Sequence, residues 1–515
     1  MNRKIIKYML AGAVGVQLFV IFCCNYFKAF DMLDYDSAMA VRHAVEMWRN
    51  GTVFLKDFGY TTSMEIDCAA FLAAPVYILT GNYGLGIAIS HLLLDGILAY
   101  LIYQILKNLN VTYEFRILGI LLILLPYKYG QLEWSNMIFL AVGQYEFRVI
   151  SACFLFMMLS YKKKWNKKCW IGYGVGQIFI FITVLSTGNY FIITVLAPLL
   201  LYEIFRILKQ ERLNWRDRDL NIVIWSTATA LLAYGINKGM HIATARSNMH
   251  ILKDTEFADN ILDCLTGVVA LFGGLATWDV PVLSLEGIGY LVRFLLLCIL
   301  LILGIAVIIR RDKLRENNAF LERFFLLFLI NMLVLLYTNT RYGSAVFEVR
   351  YHIIWCILMI IADVMLFSVM WRGFGAWIKA TAITCMMIGI FIINLSGFGT
   401  IWNVTNIDEP VITRSIQIAD EHGISDVVVV DGGVARKMGA MHINKNVQFG
   451  VLDETSGMIG FNTWGSLLDT SVQKANILLI RDSDVPQLAE DIKEDYQVME
   501  VKDGWMILLT RSHEW

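Results

Sequence analysis

The chain alternates long apolar stretches with short charged ones. Tyr8–Phe27 carries no charged residue. Further apolar runs of spanning length recur at roughly 84–106, 145–161, 170–187, 189–206, 220–238, 288–309, 319–338, 351–370 and 380–400, with a shorter one at 115–126. About eleven membrane-spanning helices are predicted. Arg3, Lys4 and Lys7 precede the first run, which ends in Cys-Cys-Asn-Tyr-Phe-Lys instead of a small-x-small cleavage site. It is therefore expected to stay as a first span with the N-terminus in the cytoplasm. On that count Lys162–Lys168, Arg206–Arg218 and Arg310–Arg323, each with about five Lys/Arg, fall inside, as the positive-inside rule asks. Lys28 to about Tyr83, Lys238–Gly287, Thr338–Arg350 and everything after Ile401 fall outside.

After Asn403 the pattern changes to charged residues mixed with short apolar stretches. Ile412–His422 and Val485–Glu494 have helical spacing, while Val427–Asp431, Asn476–Ile480, Gln497–Val501 and Trp505–Leu509 read as strands. The expected architecture is an α-helical polytopic membrane domain over residues 1–402, its first outer loop at 28–83, followed by a small extracytoplasmic α/β domain over 403–515. No internal repeat is evident, and the plasma (inner) membrane is the expected location.

Composition narrows the function. At 57% hydrophobic, 17% charged and a mean hydropathy of +0.58, a soluble multidomain enzyme is excluded. Forty-three Lys+Arg against 44 Asp+Glu leave a net charge of −1, without the basic surplus that nucleic-acid binding needs. The nine cysteines and eight histidines are scattered, with neither C-x-x-C nor H-E-x-x-H, so no disulfide or zinc framework is predicted.

The first outer loop reads Phe30-Asp31-Met32-Leu33-Asp34-Tyr35-Asp36-Ser37 and leads into Ala38–Asn50, where Ala40, Ala44, Met47 and Trp48 recur at helical spacing. An acidic D-x-D thus opens an amphipathic helix expected to lie on the membrane surface. Asp34 and Asp36 are suited to act as general base and partner, or as oxygen ligands of a divalent ion, at headgroup level. The plainer alternative is that Asp36 or Ser37 simply caps the helix.

These elements carry a resemblance. The acidic pair after span one, the helix Ala38–Met47 with Gly51 behind it, Ala74-Pro75-Val76-Tyr77 with Gly81-Asn82-Tyr83-Gly84 before span two, and Glu348-Val349-Arg350-Tyr351-His352 entering a late span look like the type C glycosyltransferase superfold, which includes aminoarabinose transferases and protein O-mannosyltransferases. The soluble α/β domain after the last span is a further match. The resemblance implies an acidic catalytic base in the first outer loop, Asp36 by position with Asp34 second, and a polyprenyl-phosphate sugar as donor. It also implies a cell-envelope glycan, lipid or protein as acceptor. A divalent ion, Mg or Mn, held by Asp34 and Asp36 is the cofactor it allows. The chain departs from the family's frequent Asp-Glu pair by having Asp36-Ser37, which leaves the choice of base open.

Loop lengths bear on the donor independently. No cytoplasmic segment exceeds roughly 16 residues, too short for a nucleotide-sugar domain. Asp431-Gly432-Gly433 lacks G-x-G-x-x-G and reads as a strand-to-helix turn. A lipid phosphate needs cationic groups near the interface. Arg350 and Arg148 are the main candidates, with Tyr351, His352 and Lys56 beside them, while Arg246, Lys253 and Arg341 also fall outside; the alternative for each arginine is snorkelling or pairing with a neighbouring Glu. Within the apolar runs, His91 and Asp95 stand i, i+4 and Asp363 lies alone. These three suit the competing reading, a proton-coupled transporter or lipid-linked glycan flippase; the plainer alternative is a hydrogen bond between helices. A third reading is a non-catalytic member that only binds lipid-linked glycan.

Overall fold

A computed structural model describes residues 3–55, 60, 63–130, 133–210, 214–240, 251–252, 256–276, 279–338, 341–342, 345–346, 348–424, 426–452, 459–461, 476–487 and 490–511. The membrane part runs α1 (Arg3–Phe27), α2 (Tyr35–Asn50), α3 (Ala69–Thr80), α4 (Tyr83–Asn108), α5 (Tyr113–Ile123), α6 (Trp134–Ile138), α7 (Glu146–Ser160), α8 (Lys167–Thr187), α9 (Ala197–Gln210), α10 (Arg218–Gly239), α11 (Phe257–Leu271), α12 (Leu285–Ile309), α13 (Asn318–Tyr337), α14 (Ile353–Met370) and α15 (Ala376–Trp402). Eight of its helical segments are long and apolar enough to cross a membrane among the described residues, as in an integral membrane protein.

Three expected spans come out shorter. The run at 145–161 is α7, 15 residues and buried along its whole length. The run at 189–206 contains a π-helical turn, Ile192–Leu196, before the 14-residue α9, and the run at 115–126 is the 11-residue α5. Apolar composition tells buried from exposed but cannot separate burial by lipid from burial by protein. Of the three, α7 and α5 are covered by neighbouring helices, whereas α9 keeps Leu201, Phe205 and Leu208 exposed. At the centre, α14 is buried at nearly every position, against α5, α12 and α13. In contrast, α12 and α15 present Ile302, Ile305, Phe391 and Leu395 outward, where lipid would take the place of protein.

Beyond α15 comes the α/β domain. A two-residue ribbon, β1 (Arg341–Tyr342) with β2 (Ala345–Val346), precedes it in the chain. Its own elements are α16 (Glu409–Glu421), β3 (Asp426–Val429), α17 (Gly432–Met441), β4 (Asn446–Leu452), β5 (Ile459–Phe461), β6 (Ile477–Arg481), α18 (Glu490–Asp495), β7 (Tyr496–Lys502) and β8 (Trp505–Thr510). The six strands form one mixed sheet in the order β5-β4-β3-β6-β8-β7, with β3 parallel to both β4 and β6. Strand alternation gives it two cores: Val427, Val429, Ile477 and Leu479 pack with α16 and α17, and Val428, Val430, Leu478 and Ile480 fill the other face. Where one helix is expected at Val485–Glu494, the described residues form a 3-10 turn, Asp482–Gln487, and the short α18.

Helix α2 differs from expectation in its surroundings. Predicted to lie on the membrane, it is sandwiched between α3 and α17, with Ala38, Ala40, Ala44 and even Arg42 and His43 buried. Its small residues let the neighbouring backbone approach closely, and this docks the C-terminal domain onto the segment between α1 and α4. Burial pushes the His43 imidazole down to about 3, so it stays neutral.

Candidate functional site

The cap of α2 belongs to Asp34 and not to Asp36 or Ser37. Asp34 has extended backbone, and its Oδ1 accepts from the Ser37 amide at 2.7 Å. Burial raises its carboxyl above the usual carboxylate range, the Ser37 hydrogen bonds opposing. Asp36 stands in the first turn with its side chain half-exposed, its Oδ1 lying 3.6 Å from Arg436 Nη1 of α17. Asp31 completes the acidic turn: it pairs with Lys28 at 2.6 Å and accepts from the Asn406 amide at 3.2 Å. Tyr129 lies beside Asn136 and within electrostatic reach of Asp34 and Asp31.

Around this turn the C-terminal domain makes a roof. Lys437 Nζ sits 5.0 Å over the Tyr35 ring while donating to Asp408 at 2.6 Å. Arg49 donates to the Ile443 carbonyl at 2.7 Å, and the Tyr77 hydroxyl to the Ala440 carbonyl at 2.9 Å. Asp431 is the expected turn residue: it caps α17 through the Gly433 and Val434 amides and pairs with Arg481 at 3.1 Å. Two glycines set the closeness of the roof, since a Cβ at Gly433 would come within 2.6 Å of the Tyr35 ring and one at Gly439 within 2.6 Å of Arg42. Gly433→Ala should therefore loosen this interface while leaving each domain folded. Limited proteolysis of the variant is expected to cut the segment between α15 and α16 faster than in the parent, and an unchanged cleavage rate would mean that the rings absorb the methyl.

The divalent ion that the resemblance allows does not suit this turn as it stands. Carboxylate oxygens are the donors that Mg2+ or Mn2+ takes. Yet one Asp34 oxygen is committed to the cap and Asp36 already faces a guanidinium. No step below runs through a metal at Asp34 and Asp36.

A second constellation gathers the predicted arginines. Arg148 Nε donates to Asp67 Oδ2 at 3.0 Å, and Asp67 also accepts from Ser186 Oγ at 2.5 Å. The Arg148 guanidinium lies 4.2 Å from the Tyr145 ring and 5.5 Å from that of Tyr190. Both rings contact Tyr351, with Tyr190–Tyr351 centroids 5.4 Å apart, and Arg350 sits 5.3 Å over Tyr351. Two arginines far apart in sequence thus flank one cluster of three tyrosines. His352 is used differently: its Nδ1 accepts from Trp355 Nε1 at 3.1 Å, and its ring faces Gly267 of α11. Lys56 lies outside the described residues, and so do Arg246 and Lys253.

Sequence reasoning missed Asp67, Tyr145, Tyr190 and Arg436. Glu65-Ile66-Asp67 is a second acidic pair in the same segment between α1 and α4, and Glu65 has a left-handed backbone with φ of 54°. The pair was readable; its arginine partner, 81 residues away, was not. Of the residues in the competing reading, His91 and Asp95 come together with Glu146, while Asp363 lies against Gly304 of α12 and outside that group.

No protein-family model matches the chain, and no curated protein does. Among solved structures it is similar to the oligosaccharyltransferase of Archaeoglobus fulgidus, crystallised as a complex with Zn and sulfate, at 10% sequence identity and a TM-score of 0.47, over 92% of this chain and 68% of that one.

Proposed function

We propose that this protein is an integral-membrane glycosyltransferase that moves a sugar from a polyprenyl-phosphate donor to an acceptor on the extracytoplasmic face. The observation that carries the reading is the convergence of Arg148 and Arg350 on the Tyr145–Tyr190–Tyr351 cluster. Planar guanidinium groups held against aromatic faces suit a phosphate that arrives on an apolar tail. The acidic turn under the C-terminal roof supplies the other half of the chemistry. The acceptor hydroxyl or amine attacks the anomeric carbon and gives its proton to Asp36, or to Asp34. The C–O bond to phosphate breaks with inversion, and the departing phosphate is stabilised by the arginines. Asp36 is favoured as base because its carboxylate is half-exposed at the mouth of the turn, whereas Asp34 is buried and committed to the cap.

Purified protein mixed with a synthetic polyprenyl-phosphate sugar and a range of hydroxyl or amine acceptors should release free polyprenyl phosphate. Its absence with every sugar tried, together with no sugar lipid co-purifying from cells, would sink the reading. The transporter or flippase alternative draws less support, because His91, Asp95 and Glu146 are fully enclosed and Asp363 is not among them. A proton relay needs a wetted path.

A further inference from the structure

His91 and Asp95 share one face of α4, and Glu146 opens α7. All three side chains are 0% exposed. Their nitrogen and oxygen ligand atoms lie within 4.8 Å of one another. His91 stands about 12 Å into a spanning helix, at 1.5 Å per residue. Among the described residues, no backbone amide, hydroxyl or side-chain amide donates to Asp95 Oδ1 or Oδ2, or to Glu146 Oε1 or Oε2. Two carboxyl groups in such surroundings are not tolerated as bare anions.

The imidazole narrows what lies between them. His91 Nε2 is 3.0 Å from the Ala141 carbonyl, an acceptor only, so Nε2 carries the hydrogen and a neutral ring has its lone pair on Nδ1. Nδ1 is 3.0 Å from Glu146 Oε2. A lone pair facing a carboxyl oxygen at that distance needs something between them, either a carboxyl proton donated to Nδ1 or a cation. The spacing is close to the edge, about 3.3 Å, of a tetrahedron whose metal–ligand bonds are about 2.0–2.1 Å long. A ring nitrogen donating to a backbone carbonyl is also how metal-ligating histidines are oriented.

The loop before α7 is shaped around this arrangement. Ala141, whose carbonyl orients His91, has a left-handed φ of 53°. Gly143 is left-handed too, at 57°, and a Cβ there would come within 2.7 Å of His91 Cε1 and 3.0 Å of Glu146 Oε2. Only glycine leaves room for the two side chains to meet.

We propose that His91, Asp95 and Glu146 bind one Zn2+ ion inside the helix bundle. Its two charges neutralise both carboxylates, and one nitrogen with two oxygens is a donor set that zinc accepts. The ion pins the head of α7 to α4. Tyr145 and Arg148 lie beside Glu146 on that head, so the metal positions the aromatic–arginine cluster from behind. The site is separate from the Asp34/Asp36 turn and stands independently of the glycosyltransferase reading.

The test is metal content of the full chain, expressed in medium with defined zinc, purified in detergent through a tag without histidines, and analysed by inductively coupled plasma mass spectrometry. About one zinc per chain is expected, with an X-ray absorption shell of nitrogen and oxygen only, at about 2.0–2.1 Å. Glu146→Gln and Asp95→Asn keep the shape and remove one charge each, and each should lower retained zinc at least about ten-fold. Asp363→Asn, a change at another buried acid, should leave it unchanged. Parent protein without zinc, both as purified and after incubation with zinc chloride and desalting, would overturn the proposal and assign the cluster to shared protons. Full zinc retention in both carboxamide variants would overturn it by placing the ion elsewhere. Should either variant not purify folded, the parent's stoichiometry and absorption shell decide alone.

Discussion

Asp36→Asn should cut sugar transfer by roughly a hundred- to ten-thousand-fold, the range for loss of a general base, with little change in thermal unfolding. The substitution removes the charge and keeps the shape. Asp36 is not the cap of α2, so the helix start stays intact. Its Arg436 partner lies at 3.6 Å with the carboxylate half-exposed, and a screened pair of that kind contributes little to stability. Asp34→Asn is the informative companion. Asparagine caps a helix about as well as aspartate, so the Ser37 bond survives. Burial raises the Asp34 carboxyl, so its ionised form is disfavoured in the folded state. That cost is absent below the ordinary carboxylate range and grows as pH rises through the raised value. Asp34→Asn should therefore be as stable as the parent at neutral pH, or more so. If it loses the greater share of turnover, and the acid limb of the parent's pH–rate profile lies above the ordinary carboxylate range, Asp34 is the base. Near-parental turnover in both variants would end the carboxylate mechanism.

Arg350→Lys should lower turnover by roughly ten- to a hundred-fold, which corresponds to the loss of a charge-assisted hydrogen bond of about 1.5–3 kcal/mol made mainly in the transition state. Lysine keeps the charge but loses the planar fork and the stacking on Tyr351. An arginine that merely reaches to the interface would tolerate the change. Arg148→Lys supplies the contrast, because Arg148 is buried and tied to Asp67 while lying against Tyr145. Its main effect should appear as a lower unfolding temperature, since disturbing a buried ion pair strands the Asp67 carboxylate. Arg350→Lys with full activity on a matched polyprenyl-phosphate sugar would remove Arg350 from the phosphate site. A purely kinetic defect in Arg148→Lys would make Arg148 the stronger of the two phosphate partners.

Features that repeat along one segment are legible in the amino-acid order alone. Eight long helices, the polar α/β domain after them and most of its strands follow from hydrophobic period and run length. The placing of His91 and Asp95 on one helical face needs only the 3.6-residue turn. The cap went to Asp34 and not to its neighbours because a cap depends on the backbone angles of one residue, and composition does not fix them. What joins distant segments took shape only on folding: α7 buried by protein where a membrane span was expected, α17 laid on α2 through Gly433 and Gly439, Asp67 met by Arg148, Glu146 brought to His91, and Arg350 set beside the same tyrosines as Arg148. Local patterning records which side of an element avoids water. It does not record which other element covers that side, and that choice is made only when close packing and the pairing of buried charges are satisfied together.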